Sequence, residues 1–185
     1  MNLNRFIAFF LIIVLSPLFF IISILIFFED GFPIFFKQKR VGVNLSLFEI
    51  YKFRTMKKST PNIATSLLTN PNSFIIKKIQ FLRLMSLDEL PNLINVVQGK
   101  MNFVGPRPAL YNQDDLLKLR VYYGIHILKP GITGLAQING RDNLTTNHKV
   151  KLELEYLNNR GIALDTKIII LTIFSLFFKK NKVIH

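Results

Sequence analysis

The chain has 185 residues, of which 24 are Lys or Arg and 11 are Asp or Glu, giving a formal charge of +13, yet 50% of the residues are hydrophobic and 18 are phenylalanine. Strong positive charge combined with high apolar content is unusual for a soluble protein and favours an anionic membrane surface. The absence of cysteine excludes disulfides and thiolate metal sites, and the sequence lacks the helix-turn-helix, zinc-spacing and RNP-type motifs of nucleic-acid-binding proteins.

An uninterrupted apolar stretch lies near the start of the chain. Phe6–Phe28 holds 23 residues without a charge, enough for a helix to cross a hydrocarbon core of about 30 Å. The following Glu29 and Asp30 do not form a small-residue cleavage site, so we expect the segment to be retained. Ser16 and Pro17 interrupt it at its centre, where the proline removes a backbone hydrogen bond and the serine hydroxyl can satisfy a freed carbonyl.

This break leaves two topologies open. The helix either kinks and crosses the membrane, or it turns back as a re-entrant hairpin. Basic residues flank both ends, with Arg5 before the segment and Lys37, Lys39 and Arg40 after it. Because Lys and Arg favour the cytoplasmic side, the charge pattern favours the hairpin.

A β-hairpin is predicted over Ile34–Phe53, where two strand-like runs are separated by Val41–Asn44. Five basic side chains crowd into this region, namely Lys37, Lys39, Arg40, Lys52 and Arg54. The cluster is as typical of a solvated or lipid-facing surface as it is of a phosphate-binding site. Both interpretations stay open on these residues alone.

A polar loop is predicted over Pro61–Ser73, followed by a helix over Phe74–Leu84 whose Arg83 comes close to the acidic pair after it. That pair, Asp88 and Glu89, begins a second short helix in which apolar residues recur at helical spacing. A helix N-terminus carries partial positive charge and unsatisfied N–H groups. Carboxylates there stay ionised, and a phosphate can bind beside them.

A capping box is the alternative interpretation of the acidic pair. Ser86 and Glu89 have the spacing at which each side chain satisfies the other's backbone donor, and no chemistry follows from that arrangement. Pro91 argues against it, because a box starting at Ser86 would set the proline ring against the carbonyl of Leu87. We therefore expect the helix to begin nearer Glu89.

A stiff turn is predicted at Gly105–Pro108, around a single arginine. Each proline of the turn fixes its own backbone angle and restricts the residue before it. Arg107 is thereby pre-set as a fork for phosphate oxygens.

Four more elements are predicted in the C-terminal part. Asp114–Tyr123 and Asn147–Asn158 have helical patterns, whereas Lys129–Arg141, with three glycines, is expected to be a structured loop more than a strand, in which glycine lets the backbone approach a ligand. Asp165–Lys180 has the pattern of an amphipathic helix that is too short to span and lies in the membrane interface. A buried core helix is the alternative. The three histidines lack paired ligand spacing and predict no metal site.

Taken together, these motifs resemble the bacterial sugar transferase family, the small monotopic phosphoglycosyl transferases that start polysaccharide and glycan assembly on a polyprenol carrier. The resemblance runs from Phe6 to about Phe178. The motifs that carry it are Ser16-Pro17, Lys39-Arg40-Val41-Gly42, Tyr51 to Met56, Leu82-Arg83, Ser86 to Pro91, Val104 to Pro108, and Lys129 through Arg141.

The resemblance implies an enzyme that moves a sugar 1-phosphate from a UDP-sugar to polyprenyl (undecaprenyl) phosphate and releases UMP. Asp88 matches the nucleophilic aspartate of the family, which implies a covalent aspartyl phosphosugar intermediate. Glu89 matches the second member of the dyad and either positions the implied Mg²⁺ together with Asp88 or handles a proton. The basic positions implied as substrate contacts are Arg83, Arg107, Lys52, Arg54 and Arg141.

The resemblance also implies a mostly helical α+β fold: an N-terminal re-entrant membrane hairpin broken at Ser16 and Pro17, a small β-hairpin, and interfacial amphipathic helices around a compact cytoplasmic domain. We expect residues 1–30 to form the membrane segment and residues 31–185 the catalytic domain, in one fold, on the cytoplasmic face of the bacterial inner membrane. The expected partners are the UDP-sugar, polyprenyl phosphate, anionic membrane lipids and downstream glycosyltransferases, with no nucleic acid. Members with an added membrane domain are longer, so the minimal form is expected.

Departures from the family pattern occur at four positions. Leu45 and Ser46 stand where the family usually has Gly and Lys, a usual tryptophan is missing near Thr146, and Glu153 replaces an aspartate. All four lie outside the acidic pair and bear on substrate preference and hairpin detail more than on chemistry. Two other functions stay open: a non-catalytic basic membrane-surface protein that binds anionic lipid or partner enzymes, and a single-span anchor with a cytosolic binding domain.

Overall fold

The structure is a computed structural model that describes residues 3–61, 70–140 and 143–178. It is a mostly helical α+β fold, as the sequence predicts. Its helices are α1 Leu3–Val14, α2 Ser16–Asp30, α3 Gln80–Leu84, α4 Leu93–Val97, α5 Asp114–Tyr122, α6 Leu135–Ile138, α7 Thr146–Asn159 and α8 Ile162–Phe178. Its strands are β1 Phe35–Val41, β2 Leu47–Phe53, β3 Asn102–Val104, β4 Ala109–Leu110 and β5 Gly131–Thr133.

Two compact units make up the described chain. The first takes its residues from Met1–Gln38 and Ile50–Val97, and the second from Lys39–Glu49 and Gln98–Phe178. The division of the chain at residue 30 stays a prediction.

The N-terminal helices form a bent pair. The predicted break at Ser16-Pro17 is confirmed, since α1 and α2 meet there at 60°, with Pro17 in the first turn of α2, where a missing N–H costs little. Within the described ranges, neither helix by itself has the length and apolar content to cross a bilayer, but the two together meet both criteria.

The first unit buries one face of this pair and exposes the other. Ile22 and Ile26 of α2 pack into a core with Phe53, Ile76, Ile79 and Leu82, while α1 lies against α4 and Arg5 Nε donates to the Val97 carbonyl at 2.7 Å. The opposite face leaves a row of large apolar side chains exposed, which are Phe6, Phe9, Phe10, Ile13, Phe20 and Phe28. The helix pair is therefore apolar both on the face that packs into the core and on the face that is exposed.

The predicted β-hairpin is confirmed as β1 and β2, joined by a tight turn over Val43–Leu45. Asn44 and Leu45 have φ angles of 51° and 61°, in the left-handed region that favours glycine. Leu45 therefore takes a conformation suited to glycine, the residue that the resemblance implies at this position, and its side chain is 45% exposed.

The second unit is built on two short strand pairings. β3 and β5 run parallel, with Asn102 opposite Gly131 and Val104 opposite Thr133. β4 pairs antiparallel with β1, so the other sheet has the order β2-β1-β4. The core between the strands and helices of this unit comprises Val41, Val104, Ala109, Leu116, Ile125, Leu128, Val150, Tyr156 and Ile168.

The prediction of a loop over Lys129–Arg141 is wrong, because the segment contains strand β5 and helix α6. Its glycines serve backbone packing against the turn after β3. A Cβ on Gly131 would lie 2.2 Å from the Gly105 nitrogen, and a Cβ on Gly134 would lie 2.1 Å from the Gly105 oxygen. Glycine is thus required at both positions by the protein's own backbone.

The remaining helices follow the sequence closely with one exception. Asp114–Tyr123 and Asn147–Asn158 are confirmed as α5 and α7, but only the last five residues of the helix predicted over Phe74–Leu84 are α-helical. The segment before α3 winds into two 3₁₀ turns and bridges to Met56 through Ile75. Most of the predicted loop, residues 62–69, lies outside the described residues.

Two polar residues of helix α8, Asp165 and Thr172, bond to other elements of the second unit. Tyr156 Oη donates to Asp165 Oδ1 at 2.8 Å, and the hydroxyls of Thr133 and Thr172 lie 2.7 Å apart. The pKa of Tyr156 is raised well above its ordinary value. The larger cause is burial, and the smaller one is the hydrogen bond to, and negative charge of, the Asp165 carboxylate. Ile168 is buried, whereas an outer face is exposed that comprises Ile169, Ile170, Leu171, Ile173 and Phe174. The described part of α8 is therefore amphipathic, with its apolar face outward.

Candidate active site

The acidic pair lies in a 3₁₀ turn of the first unit. The turn spans Leu87–Asn92 and leads directly into α4. The predicted start near Glu89 is wrong by two residues, although the physical reason given for it holds. An α-helix starting at Leu87 would set the Pro91 ring against the Leu87 carbonyl, and tighter 3₁₀ winding carries the chain past the proline before α-helical geometry begins at Leu93.

The capping box does not form. Ser86 has φ 56° and its side chain makes no capping hydrogen bond. Glu89 instead reaches out to β2, where Lys52 Nζ donates to Glu89 Oε1 at 2.7 Å. The capping interpretation is therefore wrong in its first half, because the Ser86 side chain does not cap the turn.

Asp88 is largely buried, with 8% of its surface exposed, while Glu89 is partly buried beside Lys52. The predicted neighbour Arg83 sits in the last turn of α3, a helix that packs against the 3₁₀ turn. The backbone N–H of Ser86 donates to the Arg83 carbonyl at 3.0 Å, so a compact turn links the arginine to the acidic pair. The first unit thus pairs Lys52 with Glu89 and places Arg83 in the helix that directly precedes the acidic turn.

Arg54, predicted as a substrate contact, is committed to the end of α2. Its guanidinium donates to the carbonyls of Pro33 at 2.5 Å and Gly31 at 2.6 Å, and to both the carbonyl and the carboxylate of Asp30. Only 5% of Arg54 is exposed. Because protein acceptors engage Nε and both terminal nitrogens, this geometry argues against a phosphate contact and for a structural role.

Arg107 belongs to the second unit, on a turn whose backbone is held at several points. Gly105 N donates to Thr133 O at 2.9 Å, and Gly131 N donates to Pro106 O at 2.9 Å. Arg40 Nη1 donates to Pro108 O at 3.1 Å. The stiff turn that the two prolines predict is confirmed, and its half-buried arginine is presented from a fixed backbone. Arg141 lies outside the described residues.

Two polar residues that the sequence did not single out as site residues lie behind this turn. Arg120 of α5 donates to the Arg107 carbonyl at 2.9 Å and forms a buried ion pair with Glu153 of α7. The sequence marked Glu153 only as a departure from the family and gave no sign of Arg120, since the two are 33 residues apart on different helices. A charged residue on the apolar side of each helix was the one available signal.

The carboxylates of Asp88 and Glu89 suit Mg²⁺ only if a substrate supplies further oxygen ligands. The described residues hold no group of three or more His, Asp or Glu side chains able to enclose a metal ion. Mg²⁺, however, is commonly bound by one or two carboxylates plus substrate phosphates, keeping several waters. The adjacent carboxylates of Asp88 and Glu89 fit that requirement.

Comparison with known proteins shows that almost the whole chain is similar to other sequences. The family model described as "Bacterial sugar transferase" matches residues 2–179. The UDP-glucose:undecaprenyl-phosphate glucose-1-phosphate transferase of Escherichia coli (strain K12) is 36% identical over 177 residues, which cover 92% of this chain and 38% of that protein. The chain therefore spans less than two-fifths of that relative.

Two shorter relatives match over more of their own length. The uncharacterized sugar transferase EpsL of Bacillus subtilis (strain 168) is 40% identical over 144 residues, covering 77% of this chain and 69% of EpsL. The exopolysaccharide production protein ExoY of Sinorhizobium fredii is 34% identical over 182 residues, covering 90% of this chain and 80% of ExoY.

Proposed function

The chain belongs to the bacterial sugar transferase family, and on that premise we propose that it transfers a sugar 1-phosphate from a UDP-sugar to polyprenyl phosphate, with release of UMP. The reaction would begin exopolysaccharide or related glycan assembly. The observation that carries the proposal is the acidic pair at the start of a 3₁₀ turn, where Asp88 is largely buried and Glu89 pairs with Lys52.

Asp88 is the proposed nucleophile. One of its carboxylate oxygens attacks the sugar-proximal phosphorus, the bond from that phosphorus to the bridging oxygen breaks, and UMP leaves with the bonding electrons. An oxygen of polyprenyl phosphate then attacks the same phosphorus and restores the carboxylate. Dividing the displacement in two lets one site serve two anionic substrates in turn. The burial of Asp88 supports this role, because limited water access protects an acyl phosphate from hydrolysis.

Glu89 and Lys52 are proposed to act together beside the nucleophile. Their ion pair of 2.7 Å fixes the glutamate carboxylate, which leaves Glu89 oriented next to Asp88. The two carboxylates are the residues that would hold Mg²⁺. When bound, the ion would neutralise the donor diphosphate and shield the approach of an anionic nucleophile.

Basic side chains are proposed to bind the phosphates of the donor. Arg83 is supported by its place in the helix that packs on the acidic turn, and Arg107 by its place on a turn whose backbone is held at several points. Arg141 remains a proposal from the family motif. Arg54 is left out, because its guanidinium is engaged by α2.

The membrane location is part of the same proposal. Because the acceptor is a lipid phosphate, its reacting group lies at the bilayer surface, and an enzyme that uses it must hold its nucleophile there. The bent pair α1 and α2, with exposed phenylalanines along one face, supports a re-entrant hairpin on the cytoplasmic face of the inner membrane. The product would pass to downstream glycosyltransferases.

Release of UMP tests the proposal. Full-chain protein in vesicles with UDP-glucose, Mg²⁺ and polyprenyl phosphate is expected to release UMP, and Asp88→Asn is expected to abolish release, because an amide is a poor nucleophile at phosphorus. Asp115→Asn, an exposed acid at the start of α5, serves as the matched control. Undiminished release by Asp88→Asn would remove Asp88 from this role. No UMP from any of a panel of UDP-sugars, with vesicle binding intact, would favour the non-catalytic membrane-surface protein.

A further inference from the structure

The backbone of Arg107 is held by a side chain buried behind it. Arg120 Nη2 donates to the Arg107 carbonyl at 2.9 Å. The same guanidinium pairs with Glu153 through two bonds, from Nε to Oε2 at 2.8 Å and from Nη2 to Oε1 at 2.5 Å. The glutamate thus fixes the arginine in a two-point geometry, and the arginine in turn holds one peptide oxygen.

This ion pair lies deep within the second unit. Arg120 is 6% and Glu153 is 2% exposed. Withdrawal of two charges from water is costly, and a well-packed apolar pair of the same volume is often as stabilising or more so. Stability alone is therefore a weak reason to place these two residues here. Their additional contact, the Arg107 carbonyl, is the feature that an apolar pair would lose.

The contact fixes the peptide from which the Arg107 side chain extends. Pro108 restricts the ψ angle of Arg107, and Arg120 fixes the oxygen of the same peptide. Arg40 holds the next carbonyl, that of Pro108, at 3.1 Å. With the peptides on its C-terminal side held by two arginines, the Cα–Cβ bond of Arg107 keeps one direction, so the backbone at this residue need not be ordered when the guanidinium binds a ligand.

We propose that Arg120 and Glu153 are positioning residues that aim the Arg107 guanidinium at the diphosphate of the nucleotide sugar. This inference rests on the proposed function for one point, the contact of Arg107 with phosphate. It assigns a role to Glu153, where the family usually has aspartate, and to Arg120.

A double-mutant cycle with UDP as the probe separates positioning from general stability. UDP binding to the full-chain protein in vesicles with Mg²⁺ is measured by calorimetry for Arg107→Ala, Arg120→Lys and the combined variant. Lysine keeps the positive charge beside Glu153 but lacks the planar guanidinium that bonds both Glu153 and the Arg107 carbonyl. Glu153→Gln is the second probe, since it keeps the shape but releases Arg120. Tyr156→Phe removes a buried polar contact from the same helix without touching Arg107, and is the control.

We expect Arg120→Lys and Glu153→Gln each to weaken UDP binding about tenfold, the size of one charge-assisted hydrogen bond. In the Arg107→Ala background, Arg120→Lys should change binding by less than about twofold, because the group it positions is gone. Tyr156→Phe should bind UDP normally. Losses that add in full in the combined variant, or UDP binding unaffected by Arg107→Ala, would overturn the inference.

The proposed function can fail separately. If UMP release is absent but the cycle shows this lack of additivity, the positioning role stands and the transferase proposal falls. If UMP is released but the losses add in full, the transferase proposal stands and the positioning role falls.

Discussion

Ion pairs that look alike in the first unit differ in what surrounds them. The side chains of Lys52 and Glu89 are only 17% and 15% exposed, whereas Lys78, paired with Glu29 at 3.0 Å, is 77% exposed. Solvent screens the second pair and leaves the first comparatively strong. Charge at Lys52 should therefore matter to the acidic pair beside it, and charge at Lys78 should not.

Lys52→Met is expected to lower kcat/KM for UMP release by about ten- to a hundredfold, because one charge-assisted bond of roughly 1.5–3 kcal/mol to Glu89 is lost. Lys78→Met is the matched control and is expected to stay within about twofold of the wild type, as for a screened surface pair. Initial-rate measurements on both variants decide the matter. Equal losses in the two would show that the Lys52 contact has no special role.

Arg54 separates a structural role from a binding role. Arg54→Met removes the donors that hold the end of α2. The variant is expected to be less stable by roughly 2–4 kcal/mol, because loss of the buried guanidinium leaves its carbonyl and carboxylate acceptors unpaired. Thermal unfolding should report the loss, with exposed Lys57→Met as the control. An unchanged unfolding temperature together with lost UDP binding would restore the phosphate contact that the sequence predicted.

At the scale of residues, the sequence singled out the candidate site residues but not the residues that support them. Asp88, Glu89 and Arg107 stand out because adjacent acids and a proline-flanked arginine are local patterns. The partners Asp30 for Arg54 and Glu153 for Arg120 lie 24 and 33 residues away. No spacing rule connects residues on different elements, so these contacts appear only when the chain is folded.

At the scale of elements, the segment after Lys129, the turn before α4 and the first half of the helix predicted over Phe74–Leu84 departed from expectation, while α5 and α7 did not. α5 and α7 carry enough helical repeats to be predicted within two residues at each end. The loop prediction for the segment after Lys129 was wrong because glycine is common both in loops and where two backbones pack closely. Here glycine allows the close approach of β5 to Gly105. The 3₁₀ turn before α4 was not predicted, because Pro91 excludes an α-helix that starts at Leu87 but does not indicate which conformation forms instead.

The β1–β2 turn gives a test at this scale. Leu45→Gly is expected to be more stable than Leu45→Ala by about 1 kcal/mol, because only glycine adopts the positive φ of 61° without steric cost. The alanine variant controls for loss of the leucine side chain. Chemical denaturation of both supplies the difference. Equal stability, or a more stable alanine variant, would show that the left-handed conformation is not held in solution.

At the scale of the whole molecule, apolar surface and charge point to the bilayer. Each unit exposes its own apolar face, along α1 and α2 in the first and along α8 in the second, in a chain of charge +13. Basic side chains interact with anionic headgroups while apolar faces enter the lipid. The family resemblance predicted this class of protein well, since it draws on motifs spread over the whole chain, whereas the identity of the sugar leaves no comparable pattern.

Topology can be tested because the chain has no cysteine. With a re-entrant hairpin, single cysteines at Leu3→Cys and Lys58→Cys, one before the helix pair and one after it, should both resist a membrane-impermeant maleimide in intact spheroplasts. Both should react in inverted vesicles, because basic flanks keep both ends cytoplasmic. Labelling of Leu3→Cys alone from outside would establish a single-span anchor instead.

The covalent intermediate on Asp88 is the central claim, and intact-mass spectrometry tests it most directly. The protein is incubated with UDP-glucose and Mg²⁺ in the absence of acceptor, then digested to locate any adduct. We predict a mass gain of one hexose phosphate on the peptide that contains Asp88, its loss on addition of polyprenyl phosphate, and no gain in Asp88→Asn. An unmodified wild-type protein that nevertheless forms the polyprenyl diphosphosugar, or an adduct that persists in Asp88→Asn, would contradict the claim.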